Sequence, residues 1–585
     1  MVRTTLIQSL VKGKVKCFLL AYLFTALPSA AQDISQIAQS DPLVITGAVG
    51  TNNTYYHSSI GSGYQSPLSN SFYLNLNISI YGFSMPFSLY YTNDNMDFNY
   101  PHLSFNLNPR YKNWTGYIGL GSMSYSSYVL SMSFNGVGVE YDDGKRLRFG
   151  AWYGTLRNAV NDDPTDPSAR DPQYKRVGYG FKVGYGNGNN YLDLYVLKAY
   201  ERLKSLDEYW QQKIAPQDNV VVGVKGNVKP LKFLNLSANA AMSAFSTDTR
   251  VEEVPDGLVD NKWGKVFDTR YSSLARFAGD MNASLTFSKL TLGAMYRFIQ
   301  PDYMSMGAYY MSNNYHSLGL TLTSAPINNL TLGATFSGQA DNLSGKQLFT
   351  TKGYVYSASA STRIANLINL MAGYNGYTQV QSDGAAKVND TTKVDRIMQS
   401  FTLTPSMSFS SDNLTHAISL SASLTDNKDR NKFATGESDV TSFAVGLSYA
   451  LGVKPWDMDF NASLTHQESK GYHTKYISNI GSLTTGRNFL KDESLSVSAT
   501  LNLIYNEVQG QSKSLSLGAD MTMGYTLNKV HVFSLTAGMN KYGDVNVTKR
   551  RSSLDATDIT ASLSYAYTFS LLQIKNKKNP ENKKK

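Results

Sequence analysis

Eight ionisable residues stand out because each falls on the polar face of a segment whose alternate residues are apolar. In 275–287, Arg276, Asp280, Asn282 and Ser284 alternate with Phe277, Met281, Ala283, Leu285 and Phe287. In the next segment Arg297 opposes Leu292, Ala294, Tyr296 and Phe298, and Lys182, Asp193, Lys225, Arg363 and Asp520 share this parity. Charges of both signs on the wall of a water-filled passage set a transverse field that discriminates among small polar solutes. Arg276, Asp280 and Arg297 lie on adjacent segments, so they are the expected constriction; the plainer expectation is a wall that only needs to be wet.

Reactive chemistry has little support. The seven histidines stand singly, and there is no G-x-S-x-G, H-E-x-x-H, phosphate-binding loop or dinucleotide fingerprint. Asp162, Asp163, Asp166 and Asp171 cluster in one connection, but their spacing is that of a solvated acidic loop rather than a defined calcium loop. Catalytic, cofactor-binding and metal-binding residues are therefore expected to be none, and the chain is not expected to be an enzyme. The single cysteine, Cys17, lies in the N-terminal apolar run, which removes disulfides and zinc-thiolate sites from consideration.

The elements that must position these charges are strands. From Thr560 to Leu571, Ala561, Leu563, Tyr565, Tyr567, Phe569 and Leu571 alternate with Thr560, Ser562, Ser564, Ala566, Thr568 and Ser570. At about 3.3 Å per residue and a tilt near 45°, twelve residues cross a hydrocarbon layer. The same period of two recurs in 72–80, 177–185, 234–243, 401–409 and 443–451. Short reversals such as Asp143-Gly144, Ser288-Lys289 and Asn528-Lys529 take turns with long polar connections, among them 158–175, 201–219, 247–273, 379–395, 425–440 and 540–558. Within 201–213, Leu203, Leu206 and Trp210 mark a short amphipathic helix. For the alternation of short and long to persist, a weak strand must be hidden in 476–490, which brings the count to about 26 (24–26).

Charged residues make up 17% of the 585, against roughly 25% in ordinary globular domains. Half of every strand facing lipid and half facing water accounts for that value. Residues 1–31 read as a cleaved signal peptide: Arg3, Lys12, Lys14 and Lys16, then the apolar run Cys17 to Leu27, then a small-residue site ending near Ala31. The net charge of +10 sits mostly at the two ends, in those four residues and in a tail with six lysines from Lys575 to Lys585. The body is close to neutral, which argues against nucleic-acid binding.

In lipid every backbone polar group must be paired inside the protein, and a sheet manages this only by closing on itself. The expected fold is all-β: a single large transmembrane antiparallel up-and-down β-barrel. Its layout is residues 32–42 as a short periplasmic segment, 43–572 as barrel and 573–585 as a Lys-rich periplasmic tail. Tyr185, Tyr449 and Tyr505, outward near strand ends, are the expected interfacial girdle.

The pattern resembles Gram-negative outer-membrane β-barrel proteins of porin-like type across the whole sequence after residue 31. In particular, the last strand, with Tyr565, Tyr567 and Phe569, is similar to the terminal strand by which the barrel-assembly machinery recognises its clients. The resemblance implies an outer-membrane location, contact with membrane lipid and that machinery as a biogenesis partner. A barrel this wide cannot be filled by its own wall side chains. Its expected function is a passive channel for small polar solutes. The alternatives are a non-conducting component of an envelope complex, closed by a periplasmic or lipoprotein partner, and adhesion through the outer loops.

Overall fold

The computed structural model describes residues 41–61, 66–93, 103–162, 165, 170–255, 267–365, 367–490, 493–509, 512–544 and 556–574. Residues 1–31, read from the sequence as a signal peptide, and the lysines of the tail lie outside the described residues. Strands are numbered in chain order from β1 (Leu43–Ser58) to β27 (Ala556–Ile574). Each pairs antiparallel with its neighbours in sequence, and β1 closes on β27 from Leu43↔Ile574 to Ser58↔Asp558. The last strand runs two residues past the boundary read from the sequence.

Two of the 27 segments are one wall strand. β4 (Leu103–Leu107) and β5 (Arg110–Tyr111) both pair with β3 (Phe83–Thr92) and with β6 (Trp114–Gly121). Asn108-Pro109 interrupts them because proline has no N–H to give to a ladder. The wall is therefore a closed 26-strand antiparallel barrel. The strand hidden in 476–490 is present as β23 (Lys475–Phe489), in unbroken register with β24 (Leu495–Val508) from Tyr476↔Val508 to Phe489↔Leu495.

The reversals at one rim are tight, and their backbone explains their composition. Asn528 and Lys529 both have positive φ (53° and 60°), the twist that a two-residue hairpin turn requires. The first and last described strands begin and end at this rim; the four-residue reversal 471–474, between β22 (Met458–Lys470) and β23, is a short turn at the other. The other rim carries the long connections, one of which forms α1 (Glu208–Lys213), with Leu206 beside it buried. No helix among the described residues is long and apolar enough to cross a membrane, which says nothing against a barrel.

The outer surface is apolar in the way a lipid-facing wall must be. Leu464 and Met281 are each 67% exposed, and Phe181, Val183, Leu447, Leu503 and Leu517 are exposed as well. In a water-soluble protein such a continuous surface would drive aggregation; around a closed barrel it is the band that meets hydrocarbon.

Candidate pore

Residues facing one another across a ladder share a face, so register carries the inward direction from strand to strand. One row starts at Asp142 on β7 (Phe134–Asp142) and runs through Arg148 on β8 (Leu147–Arg157), Gly184 on β9 (Arg176–Asn187) and Asp193 on β10 (Asn190–Glu201). It continues through Lys225 on β11 (Asp218–Leu231), Asn239 on β12 (Leu234–Ser246), Asp280 on β13 (Ser273–Thr286) and Arg297 on β14 (Leu290–Ile299). Four of the eight charges singled out in the sequence thus stand in a single row. Its signs alternate at every charged position, so neighbours compensate one another. Arg148 Nη2 lies 2.8 Å from Asp193 Oδ1.

Above this row the lumen is filled by two inward-folded segments, 122–133 between β6 and β7, and 300–314 between β14 and β15 (Tyr315–Ile327). Val129, Leu130, Tyr303 and Met306 from these segments are buried against Phe134, Trp152, Leu197, Val221 and Ala278 of the inner wall. Phe134 stacks on Trp152 with ring centroids 4.7 Å apart. Gly307 is needed for the close approach: a Cβ there would sit 2.5 Å from Leu197 Cδ2 and 2.8 Å from the Val129 carbonyl.

Hydrogen bonds tie the segments to each other and to the wall. Tyr303 Oη donates to the Tyr128 carbonyl (2.8 Å) and Ser305 Oγ to that of Val129 (2.6 Å). From the segments to the wall, Tyr128 Oη donates to Asp280 Oδ2 (2.7 Å) and Ser126 Oγ to Asn239 Oδ1 (2.6 Å). In the reverse direction, Arg276 Nε donates to the Pro301 carbonyl (2.8 Å), and Arg176 Nη1 to that of Met306 (3.1 Å) while its Nη2 bonds Glu201. Lys182 pairs with Glu140 across Gly150, whose missing side chain lets the two meet.

The remaining wall has a different inner face. A row from Arg363 on β17 (Phe349–Ile364) passes Asn369, Ser406, Ser419, Ser448, Ser463 and Ser482 to Asn502 on β24. Seven strands in succession thus present a hydroxyl or an amide and no charge. Asp520 faces inward two residues from that row, opposite Thr500 and Gly538. Most of this row is half-buried between neighbouring side chains, whereas on β15 Thr321 and Thr323 inside are exposed, as Leu320 and Leu322 are outside.

The expected girdle tyrosines all stand on the outer face. Tyr185 is 61% exposed near the short-turn rim, Tyr449 Oη shares a 2.8 Å hydrogen bond with His416 Nδ1, and Tyr505 Oη donates to Glu507 Oε2 near the long-loop rim. Tyr565, Tyr567 and Phe569 form an outward aromatic cluster with His531 and Phe533; His531 stacks on Tyr567 at 4.5 Å and Phe533 packs on Tyr565 at 4.9 Å. Two of the histidines that looked scattered in the sequence therefore belong to aromatic groups on the lipid side.

The two inward segments went unseen in the sequence, where attention fell on polar connections. A signal was present. Segment 122–133 has no charged residue and 300–314 has only Asp302, while both are rich in Tyr and Met. A long connection of that composition gains by burial and is poorly suited to water.

No family model and no curated relative matches the sequence. Among solved structures, the chain is similar to OccAB2 of Acinetobacter baumannii, with 12% identity over 61% of this chain and 93% of that one, at a TM-score of 0.30. It is also similar to OprD of Pseudomonas aeruginosa (11%, 61% and 91%, TM-score 0.31) and to OccK8 (OprE) of the same organism (10%, 68% and 98%, TM-score 0.31). Its own strand pairing, closed by β1 on β27, makes this chain an antiparallel β-barrel. Likenesses at that level say nothing about what it carries, and the functional reading rests on its own lumen.

Proposed function

We propose that this barrel is a passive channel for small polar solutes, conducting between the inward segments and the hydroxyl-lined wall opposite them. The observation that carries the reading is the one-sidedness of the filling. Segments 122–133 and 300–314 are packed and hydrogen-bonded onto β7–β14, while among the described residues neither hydrophobic cluster includes a residue beyond Tyr315 and the inner face from β17 to β24 carries a row of hydroxyls and amides. Water occupies a passage with such walls, and the inward segments narrow it. Arg276 positions one of them through Pro301, and the alternating row of Asp193, Lys225, Asp280 and Arg297 sits beneath them.

Planar-bilayer recording of the refolded barrel tests this. Stable open steps are expected, with larger steps when 301–313 is replaced by a short Gly-Ser linker. A folded barrel with no steps in either form would overturn the reading. In that event the uncovered wall would be the seat of a partner chain in an envelope complex, detectable by co-purification. Export through a cleaved signal peptide ending near Ala31 belongs to the same reading and is checked by N-terminal sequencing of the mature protein.

A further inference from the structure

The open wall contains one place where more than wetting is built in. On β2 (Leu68–Ile80) Tyr73, Asn75 and Asn77 face inward, matched by Tyr90 and Ser88 on β3 and by Asn106 on β4. Asn75, Asn77, Asn106 and Asn108 line the inner side of a hollow of about 540 Å³ between β1, β2, β3 and β4, whose outer side is formed by Leu76, Phe87 and Phe569, and no lining residue is charged. Asn77 Oδ1 accepts from Ser84 Oγ (3.0 Å) and Asn108 Nδ2 donates to the Gly116 carbonyl (3.1 Å), whereas the side-chain amides of Asn75 and Asn106 have no hydrogen-bond partner among the described residues.

The tyrosine beside the hollow is held flat. Tyr73 faces Gly50 across the ladder, and a Cβ built on Gly50 would lie 2.5 Å from the ring's Cζ and Oη. The absence of that Cβ lets the ring lie down on the wall with its other face toward the lumen. Asn75 follows two residues on along the same face, about 7 Å away.

We infer that this is a binding station for a neutral pyranose oligomer. The inference rests on the channel reading and names its solute class. A carboxamide offers a donor and an acceptor side by side, which suits sugar hydroxyls that both donate and accept. The axial C–H groups of a pyranose carry partial positive charge and pack on the negative face of an aromatic ring. One sugar unit over Tyr73 places the next over the free amides of Asn75 and Asn106. An anion or cation would find no counter-charge in the hollow, and an apolar solute would leave the amides of Asn75 and Asn106 unpaired.

The test is current block in the same bilayer system, with maltohexaose as probe and a polyethylene glycol of equal hydrodynamic size as comparison. Maltohexaose is expected to block saturably and the glycol only in proportion to its concentration. Tyr73→Ala should weaken the saccharide block by roughly three- to tenfold, the range for loss of one aromatic contact. Tyr73→Phe, which keeps the ring, should retain it, and Asn106→Leu should weaken it. Open steps with identical block by the two polymers, or block indifferent to Tyr73→Ala and Asn106→Leu, would overturn this inference and leave the channel standing. Absence of open steps would overturn both.

Discussion

The inner wall from β7 to β14 and the inner wall from β15 round to β3 are made of the same kind of strand, yet they do different work. The first is a protein interior: aromatic and aliphatic side chains meet two inward segments, and its charges alternate in sign along one ladder row. The second carries hydroxyls and amides in rows, with few charges, and on the channel reading proposed above it faces water. Period-two alternation decides only which residues turn inward. What they meet there decides whether the inward face becomes core or pore.

The largest effect should come from damaging the core side. Phe134 is fully buried and stacked on Trp152, so Phe134→Ala should cost about 3–5 kcal/mol. Ser482→Ala, on the open side, should stay within about 0.5 kcal/mol. Urea midpoints of the folded, heat-modifiable form give both values, and equal losses would erase the distinction between the halves.

Next in size is the response to losing a charge. Asp193→Asn removes the partner of Arg148, whose side chain is 20% exposed, and should cost roughly 1–3 kcal/mol with little change in ion selectivity. Asp520→Asn should behave in the opposite way, shifting the reversal potential in a salt gradient with little loss of stability, because no ion pair among the described residues holds Asp520. If Asp193→Asn moved the reversal potential more than Asp520→Asn did, the alternating row would be lining the conducting path after all.

Much of this was legible in the sequence, for identifiable reasons. The strands could be read because every wall residue is either against lipid or against lumen, and that is a local, period-two property. β23 could be placed despite its weak pattern because Asn528-Lys529 had to fall at the short-turn rim. The inward parity of Asp193, Lys225, Asp280 and Arg297 was visible strand by strand. That they form one row was not visible, since a one-residue slip in any of the intervening ladders would scatter them. The inward segments depend on contacts such as Leu197 with Gly307, more than a hundred residues apart, for which no local pattern exists.

A subtler probe of the closed half is Arg276→Ala. It removes a charged donor to the Pro301 carbonyl and leaves the buried body of segment 300–314 in place. Hydrogen bonds to charged groups contribute about 1.5–3 kcal/mol, but Arg276 is 31% exposed on its side chain and water can replace part of this one. The expected result is noisier open current at nearly unchanged mean conductance. A quiet trace identical to that of the unmodified barrel would mean that packing alone holds the segment.

The smallest effect belongs outside both halves, in the acidic connection between β8 and β9. Arg170 bonds Asp162 through Nε and Nη2 at 2.8 and 2.9 Å and holds its carboxyl down to about 2. A carboxyl whose folded pKa lies below its unfolded value contributes fully above the unfolded value and loses that contribution as pH falls through the folded one. The window here runs from the ordinary aspartate value near 3.8 down to about 2. Protease sensitivity of 158–175 should therefore be flat from pH 7 to about pH 4 and rise only below that window's upper edge. Arg170→Ala should return the carboxyl toward its ordinary value, and both proteins should keep the same barrel stability, because the pair is solvent-screened, with the Arg170 side chain 63% exposed and that of Asp162 29%. A change in the barrel's urea midpoint on Arg170→Ala would instead tie this connection to the closed half, through Trp210 Nε1, which donates to the Asp162 carbonyl at 3.0 Å.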